Sequence, residues 1–151
     1  MTEQHIAHVN VATLRYSRGD ARVQPFFDAV PAINALAERS PGFVWRLTDD
    51  AEEAKAAELF GEPNLAIALS VWETLESLRD FVYRSAHGGF VQQRASWFLP
   101  RAMANKALWR VAPGTQPSIL DAKHRLDWLT RHGPGDVAFG FSQHIDQVST
   151  Q

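Results

Sequence analysis

Four short apolar segments, separated by helical patterns, constrain the fold of this chain more than any other feature. Rich in β-branched and aromatic residues, they are predicted as strands, at His5–Thr13, Gly42–Thr48, Leu65–Trp72 and Ala107–Gly114. Between the first two, apolar residues recur at helical spacing from Val23 to Arg39. Pro31 interrupts that helix and is expected to kink it or delay its start. A last short edge strand is predicted at Val137–Phe141.

Helical patterns also follow the third and fourth strands. Thr74 begins one helix, a second covers roughly Phe90–Leu99, and Ser118 caps the last one, which ends before Gly133. The acidic, alanine-rich segment Asp49–Asn64 is predicted as a solvated connection with at most one helical turn. The order strand, helix, strand, strand, helix, strand predicts an α+β domain, with a ferredoxin-like antiparallel sheet and helices on one face.

Composition narrows the class of protein. With 151 residues, 45% of them hydrophobic, the chain suits one domain over residues 1–151, with a loose polar tail from about residue 142. A net charge of −2 gives no reason to expect binding to nucleic acid or to an acidic membrane surface. The N-terminus lacks a signal-peptide layout, and no apolar run approaches the ~20 residues of a membrane helix. We therefore expect a cytoplasmic protein without a membrane partner.

Strand alternation divides the predicted sheet into two faces. One face is uniformly large and apolar and is expected to lie under helices. It comprises Val9, Val11, Phe43, Trp45, Leu47, Leu65, Ile67, Leu69, Val71, Trp109 and Val111. The opposite face, which we call the mixed face, combines apolar, small and polar residues. It comprises Ile6, His8, Asn10, Ala12, Val44, Arg46, Thr48, Ala66, Ala68, Ser70, Trp72, Leu108 and Arg110.

The mixed face admits two interpretations. Small residues beside a few polar ones leave room for a concave small-molecule site, and the presence of Trp72 favours this one. Alternatively the face is simply half exposed to water, with Arg46 and Arg110 as surface charges. The apolar residues of this face need cover, which a second copy in a homodimer would supply. The C-terminal helix, Ser118–His132, is the rival cover.

Five segments carry a family resemblance: "HVNVATLR", "INALAERSPGFVWRL", "SVWETLESLRDFVYRSAH", "LWRVAPG" and "HGPGDVAFGF". They resemble a bacterial family known only as a domain of unknown function. That family is similar in fold to the antibiotic-biosynthesis monooxygenases, which are dimeric α+β barrels. The resemblance extends from about His5 to Phe141 and implies a homodimer that binds an aromatic or polyketide-like small molecule. The sequence departs from the family pattern at Ala68, where Asn is common, and at Arg110, where Trp is common.

The resemblance also implies which residues form the site. Cofactor-free monooxygenases of this fold orient electron-rich phenols and stabilise a phenolate or enolate with polar groups. The residues expected to take part in catalysis are Asn10, Trp72 and His87. Those expected to bind the substrate are His8, Arg46, Ser70, Tyr83 and Arg110. The two arginines would favour an anionic ligand. No metal site is expected, because the histidines of the first strand, His5 and His8, point to opposite faces.

His87 lies at the end of its helix and can be interpreted in three ways. It caps the helix, acts as a general acid or base, or serves as the axial ligand of a haem. Barrel relatives that degrade haem pair such a histidine with an Asn and a Trp, which Asn10 and Trp72 would mimic. The cap is favoured, so no cofactor is expected. The function is then a cofactor-independent oxygenase or a non-catalytic small-molecule-binding or stress-associated protein, with a haem-binding or haem-degrading protein as the lesser alternative.

Overall fold

The structure is a computed structural model that describes residues 3–87, 97–100 and 104–141. Its strands are β1 (His5–Leu14), β2 (Phe43–Arg46), β3 (Leu65–Trp72), β4 (Phe98–Leu99) and β5 (Lys106–Val111). Its helices are α1 (Gln24–Glu38), α2 (Asp50–Phe60), α3 (Leu75–His87) and α4 (Ile119–His132). The bounds of β3 are those predicted from the sequence.

β1 is the central strand of a sheet in which the pairings are antiparallel. Along one edge it pairs with β3, from Ile6 opposite Trp72 to Thr13 opposite Leu65. Its other edge pairs first with β5 and then, near Leu14, with β4. β2 lies outside β3. The strand order is therefore β2-β3-β1, with β5 and β4 one after the other along the far edge, which confirms the predicted ferredoxin-like sheet.

Helices α2 and α4 cover the apolar face of the sheet. α4 begins with a capping box, in which Ser118 and Asp121 each accept a hydrogen bond from the backbone N–H of the other at 3.0 Å. The buried residues of this layer are Ala7, Val9, Val11, Leu65, Leu69, Val71, Ala107 and Trp109 from the sheet, with Ala56, Ile119, Ala122, Leu126 and Ala138. The predicted cover of the apolar face by helices is confirmed. The suggestion that the C-terminal helix covers the mixed face is wrong, because α4 packs on the other side.

One end of the mixed face is buried within the same chain. Trp72 is fully buried, with the Phe81 ring of α3 stacked at a centroid distance of 5.1 Å and the Phe43 ring edge-on at 5.4 Å. The other buried residues of this cluster are Ile6, Ala37, Leu75, Leu78, Leu108 and Phe139. From the sequence we identified no element of the same chain that would cover this apolar end. α3 and the segment after α4 supply the cover that we expected from a second copy of the chain.

Helix α2 replaces the loop predicted at Asp49–Asn64. The Asp49 carboxylate accepts hydrogen bonds from backbone N–H groups of the first turn, and Gly61 ends the helix with φ +69°. Alanine has the highest helix propensity, and the buried Ala56 packs the helix against the sheet. The prediction failed because it gave more weight to the acidic side chains, which remain at the helix surface, than to the alanines between them.

Two further points concern α1, which forms close to its predicted bounds, and β2, where the predicted faces are wrong at one residue. α1 starts at Gln24 and continues through the exposed Pro31, so its start is not delayed. A bulge in β2 shifts the register between Phe43 and Trp45. Phe43 therefore lies opposite Trp72 on the mixed face rather than on the apolar face. The bulge completes the aromatic cluster around Trp72.

The remaining predicted elements are described in part. Phe98 and Leu99 form β4 instead of the end of a helix, and the earlier part of that predicted helix lies outside the described residues. At Val137–Phe141 the structure has a single bridge, in which Phe139 pairs with Leu108. The predicted loose tail from residue 142 also lies outside the described residues.

Candidate functional site

Small and polar residues occupy the middle of the mixed face, and we call this set the floor. It consists of Asn10 and Ala12 on β1 and of Ala66, Ala68 and Ser70 on β3. The register places Asn10 opposite Ala68 and Ala12 opposite Ala66, while Ser70 lies opposite His8. Because side chains of paired residues project on the same side, the five residues form one continuous surface bordered by His8.

Aromatic residues close the floor at both ends. At one end stands the cluster of Trp72, described above. At the other end the mixed face continues into Leu14, which pairs with Phe98. Phe26 of α1 contacts Phe98 edge-on at a centroid distance of 5.0 Å, and the buried Trp97 lies 5.9 Å from Phe26. The floor is thus enclosed between two apolar ends.

Helix α1 runs along the mixed face from one apolar end to the other. Its first turn contacts Phe98 through Phe26, and its last turn joins the Trp72 cluster through Ala37. A 15-residue helix is about 22 Å long, which is enough to span the floor. α1 packs chiefly against α3 and β2 instead of the two central strands. Accordingly Ala68 is exposed, although it lies in the middle of β3.

His8 is a buried histidine at the border of the floor. It is 9% exposed, and its Nε2 atom is buried without a hydrogen-bond partner. Its ring centroid lies 5.8 Å from that of Phe141. Burial, together with the positive charge of Lys106, lowers the pKa of His8 from 6.5 to about 4. The imidazole is therefore neutral at physiological pH.

Asn10 and Ser70 supply the polar groups of the floor, and the buried Trp72 contacts Ser70 from behind. Trp72 donates a hydrogen bond from Nε1 to Ser70 Oγ at 3.0 Å, which satisfies the buried indole. The Ser70 hydroxyl keeps its own hydrogen available for donation. Asn10 is half-buried, and within the described residues its side-chain amide forms no hydrogen bond. The structure thus brings together His8, Asn10 and Ser70, which were predicted site residues. Trp72, predicted to take part in catalysis, is fully buried and orients Ser70 instead of facing the floor.

The two predicted arginines do not come together. Arg46 donates from Nε to the Glu38 carboxylate of α1 at 2.8 Å and is half-buried by this ion pair. Arg110 is exposed, with its guanidinium 5.3 Å from the centre of the Phe139 ring. Both belong to the mixed face by register, but β2 and β5 lie three strand spacings apart, or about 14 Å. One small ligand would not contact both.

Tyr83 and His87, the two predicted site residues of α3, are not placed on the floor by the structure. Tyr83 is 65% exposed, because it lies on the side of α3 that faces away from the sheet. His87 is the last residue of α3, and its side chain lies outside the described part of the structure. The three interpretations of His87 therefore remain as the sequence left them.

Sequence reasoning missed Lys106 and the second apolar end. Lys106 lies opposite Asn10 on the mixed face and was missed because the predicted strand began one residue later. Extending the alternation by that residue would have found it. Phe26 and Phe98 left no comparable signal, since their contact depends on how α1 lies across the sheet.

A concave region lies on the other side of the molecule. It is an open cleft of about 540 Å³ between α2 and α4, lined by Glu52, Lys55, Glu58, Leu59, Ser118, Ile119 and Leu120. Its polar groups are exposed side chains, whereas the floor borders a buried imidazole without a partner. Across residues 3–87, 97–100 and 104–141, no group of three or more acidic or histidine side chains is arranged to hold a metal ion.

Comparisons with known proteins identify the family. The family described as "Domain of unknown function (DUF3291)" matches residues 5–151. The chain belongs to this family. Among curated proteins no significant match is found. In the part of this DUF3291 protein that the structure describes, no helix is long and apolar enough to cross a bilayer.

Two solved structures resemble the chain at low sequence identity. SnoaB, a cofactor-independent oxygenase from Streptomyces nogalater, is 16% identical, with a TM-score of 0.47 over 76% of this chain and 99% of that chain. A protein from Nitrosomonas europaea, studied as a candidate antibiotic biosynthesis monooxygenase, is 12% identical. Its TM-score is 0.48 over 78% of this chain and 96% of that chain.

Proposed function

We propose that this DUF3291 protein binds an aromatic or polyketide-like small molecule on the floor of the mixed face. The observation that carries the proposal is the exposure of Ala68 between two buried aromatic ends. A residue at the centre of a sheet is exposed on a helix-covered side only where the helix leaves a gap. Small floor residues with convergent polar groups are typical of ligand sites.

The shape of the floor favours a flat ligand. From Ala66 to Ser70 the floor spans four residue spacings, or about 13 Å at the rise of a strand. Alanine side chains leave a smooth surface against which a fused ring system can lie. Of the rings at the two ends, the half-buried Phe26 would contact an edge of the ligand, whereas the fully buried Trp72 only bounds the site. Asn10 and Ser70 would bind its polar substituents.

A cofactor-independent oxygenase is the second candidate function. The specific observation in its favour is that the Asn10 amide and the Ser70 hydroxyl are uncommitted donors on one surface, where they would stabilise a developing phenolate. A suitable reaction is the conversion of 1-naphthol and O2 to 1,4-naphthoquinone and water. One oxygen atom enters the ring and the other leaves as water. The haem alternative rests on His87 alone and has no further support.

Binding and catalysis are distinguished by what happens to the ligand. An oxygenase would consume O2 in the presence of 1-naphthol and release the quinone, whereas a binding protein would return 1-naphthol unchanged. An oxygen electrode and mass spectrometry of the reaction mixture measure both outcomes. Mass spectrometry of any small molecule that co-purifies with the protein would identify the natural ligand.

Filling the floor tests the site itself. Ala68→Phe places a ring on the exposed centre of the floor and is expected to abolish binding of 1-naphthol, measured by fluorescence titration. The free energy of unfolding should change by less than about 0.5 kcal/mol, as for other exposed positions. The matched control is Ala54→Phe, at an exposed position of α2 on the other side of the sheet. Equal binding by both variants would show that the ligand lies elsewhere.

We further propose that the protein is a cytoplasmic homodimer in which each copy carries its own floor. The support for a complete site in each copy is that residues of the same chain close both ends. The homodimer itself is tested below.

A further inference from the structure

The unpartnered Nε2 atom of His8 is not explained by the fold. Buried polar atoms almost always have a hydrogen-bond partner, so each exception requires a reason. His8 packs between two strands, opposite Ser70 on β3 and Leu108 on β5. The Ser70 hydroxyl has a hydrogen to donate but forms no hydrogen bond with Nε2, and the Leu108 side chain has no polar group. The partner of Nε2 must therefore come from outside these neighbours, and the floor is the opening beside it.

The chemistry of a neutral imidazole decides what kind of partner fits. Of its two nitrogens, one carries a hydrogen and the other a lone pair. In proteins, a buried N–H group without a hydrogen-bond partner is rarer than a buried acceptor without one. Of the two His8 nitrogens, Nε2 is the one that is buried without a partner, so the hydrogen is better placed on Nδ1. Nε2 is therefore best described as an acceptor that lacks its donor.

We propose that His8 Nε2 accepts a hydrogen bond from an uncharged hydroxyl or N–H group of the ligand and thereby makes the site selective for that group. This inference rests on the proposed small-molecule site and adds its main specificity-determining residue. A ligand whose oxygen is methylated leaves Nε2 without a partner. A carboxylate brings a negative charge against the lone pair.

The arginines do not alter this preference. Arg46 is neutralised by Glu38, and Arg110 is exposed at the far edge of the sheet. Lys106 is the cation closest to the floor in the register, opposite Asn10. Among the described residues, Lys106 is therefore the cation to test as a source of any preference for anions, and the experiment includes an anionic probe for this reason.

Three probes that share one ring system test the proposal: 1-naphthol, 1-methoxynaphthalene and 1-naphthoate. Binding is measured by chemical-shift titration of the ¹⁵N-labelled protein at pH 7, with shifts at Asn10, Ala68 and Ser70 reporting the floor. The wild-type protein is expected to bind 1-naphthol about 10-fold or more tightly than the methyl ether, which leaves Nε2 unsatisfied. His8→Phe keeps an aromatic ring but removes the acceptor, so the preference should disappear. The control is His124→Gln, at an exposed position of α4.

A second measurement needs no variant and covers the case in which His8→Phe does not fold. Long-range ¹H–¹⁵N spectra of the wild-type imidazole show which nitrogen carries the hydrogen. We expect Nε2 to be unprotonated before and after addition of 1-naphthol, and its ¹⁵N resonance to move on binding. A hydrogen on Nε2 in the complex would overturn the proposal.

The remaining outcomes separate this inference from the proposed function. Equal affinity for all three probes, with shifts on the floor, would leave the site standing and overturn the role of His8. Tightest binding of 1-naphthoate would likewise overturn it and indicate recognition of an anion. Absence of shifts on the floor with every probe would refute the proposed site, and the inference with it.

Discussion

Among single residues, His8 is expected to lower the stability of the folded protein in acid, in addition to its proposed role in binding. An imidazole that must stay neutral in the folded protein but takes up a proton when unfolded couples folding to pH. Its pKa falls from 6.5 to about 4 because burial and Lys106 disfavour the charged form. Between these two values the unfolded state binds more protons than the folded state. Acid therefore favours unfolding.

This coupling predicts a loss of stability on acidification. The free energy of unfolding should fall as the pH decreases from 6.5 to 4, by about 3 kcal/mol in total from His8 alone. Urea denaturation at several pH values measures it, and His8→Phe serves as the reference because the other titrating groups are shared. The pKa of Asp20 is lowered to about 2 by its hydrogen bonds from Arg22, so its contribution lies below this range. Parallel curves for the two proteins would contradict the prediction.

Much of the floor could be predicted because strand alternation is a property of covalent geometry. His8, Asn10, Ser70 and Trp72 lie on one face in the structure, as the period of two requires. The partners of the arginines could not be predicted in this way. Whether Arg46 meets a ligand or Glu38 depends on where the end of α1 comes to lie, and that position is set by packing between distant segments.

At the scale of elements, close packing between β2 and α3 fixes the wall behind Trp72. Gly42, just before β2, has φ +84°, and a Cβ atom there would collide with the Ser77 side chain of α3. Its carbonyl accepts a hydrogen bond from the Glu73 N–H at 2.7 Å, which joins the start of β2 to the end of β3. Only glycine allows both the backbone conformation and the contact.

Gly42→Ala is therefore expected to destabilise the protein more than the same change elsewhere. The positive φ alone costs about 1–2 kcal/mol, and the collision with Ser77 adds about 1–3 kcal/mol. Gly114→Ala is the matched control, because Gly114 has φ +91° and nothing within 4 Å of the added carbon. Chemical denaturation of both variants measures the difference. Equal losses of stability would show that α3 moves aside at little cost.

Elements were predictable where one strong signal decided them and not where two signals competed. β3 and α4 carry consistent patterns of alternation and capping, and both form as predicted. In α2, by contrast, acidic side chains suggested a loop while alanines favoured a helix. The buried contact of Ala56 decides the outcome. The bulge at Phe43 escaped prediction for a similar reason, since it is stabilised by the rings around Trp72 that only the folded sheet assembles.

In the whole molecule, one part of the mixed face is covered by other segments of the same chain, and another part is open to a ligand or a partner subunit. The buried Ile6, Trp72 and Leu108 need no second copy as cover. Among the described residues of this face, the floor, Arg110 and Val44 remain open, and Val44 is 38% exposed in the bulge of the edge strand β2. A partner subunit that packs beside Val44 would cover the apolar edge and leave the floor to the ligand.

We therefore expect a homodimer whose interface includes Val44 but not the outer surface of α4. Sedimentation velocity at micromolar concentration should show a dimer for the wild-type protein and a shift toward monomer for Val44→Lys, because the buried charge would lack a partner. Leu120→Lys, at an apolar position of α4 that is 65% exposed, is the matched control and should remain dimeric. A monomeric wild-type protein, or dissociation caused only by Leu120→Lys, would contradict this arrangement. Binding of 1-naphthol by monomeric Val44→Lys would show that each chain carries a complete site, since both aromatic ends of the floor belong to one chain.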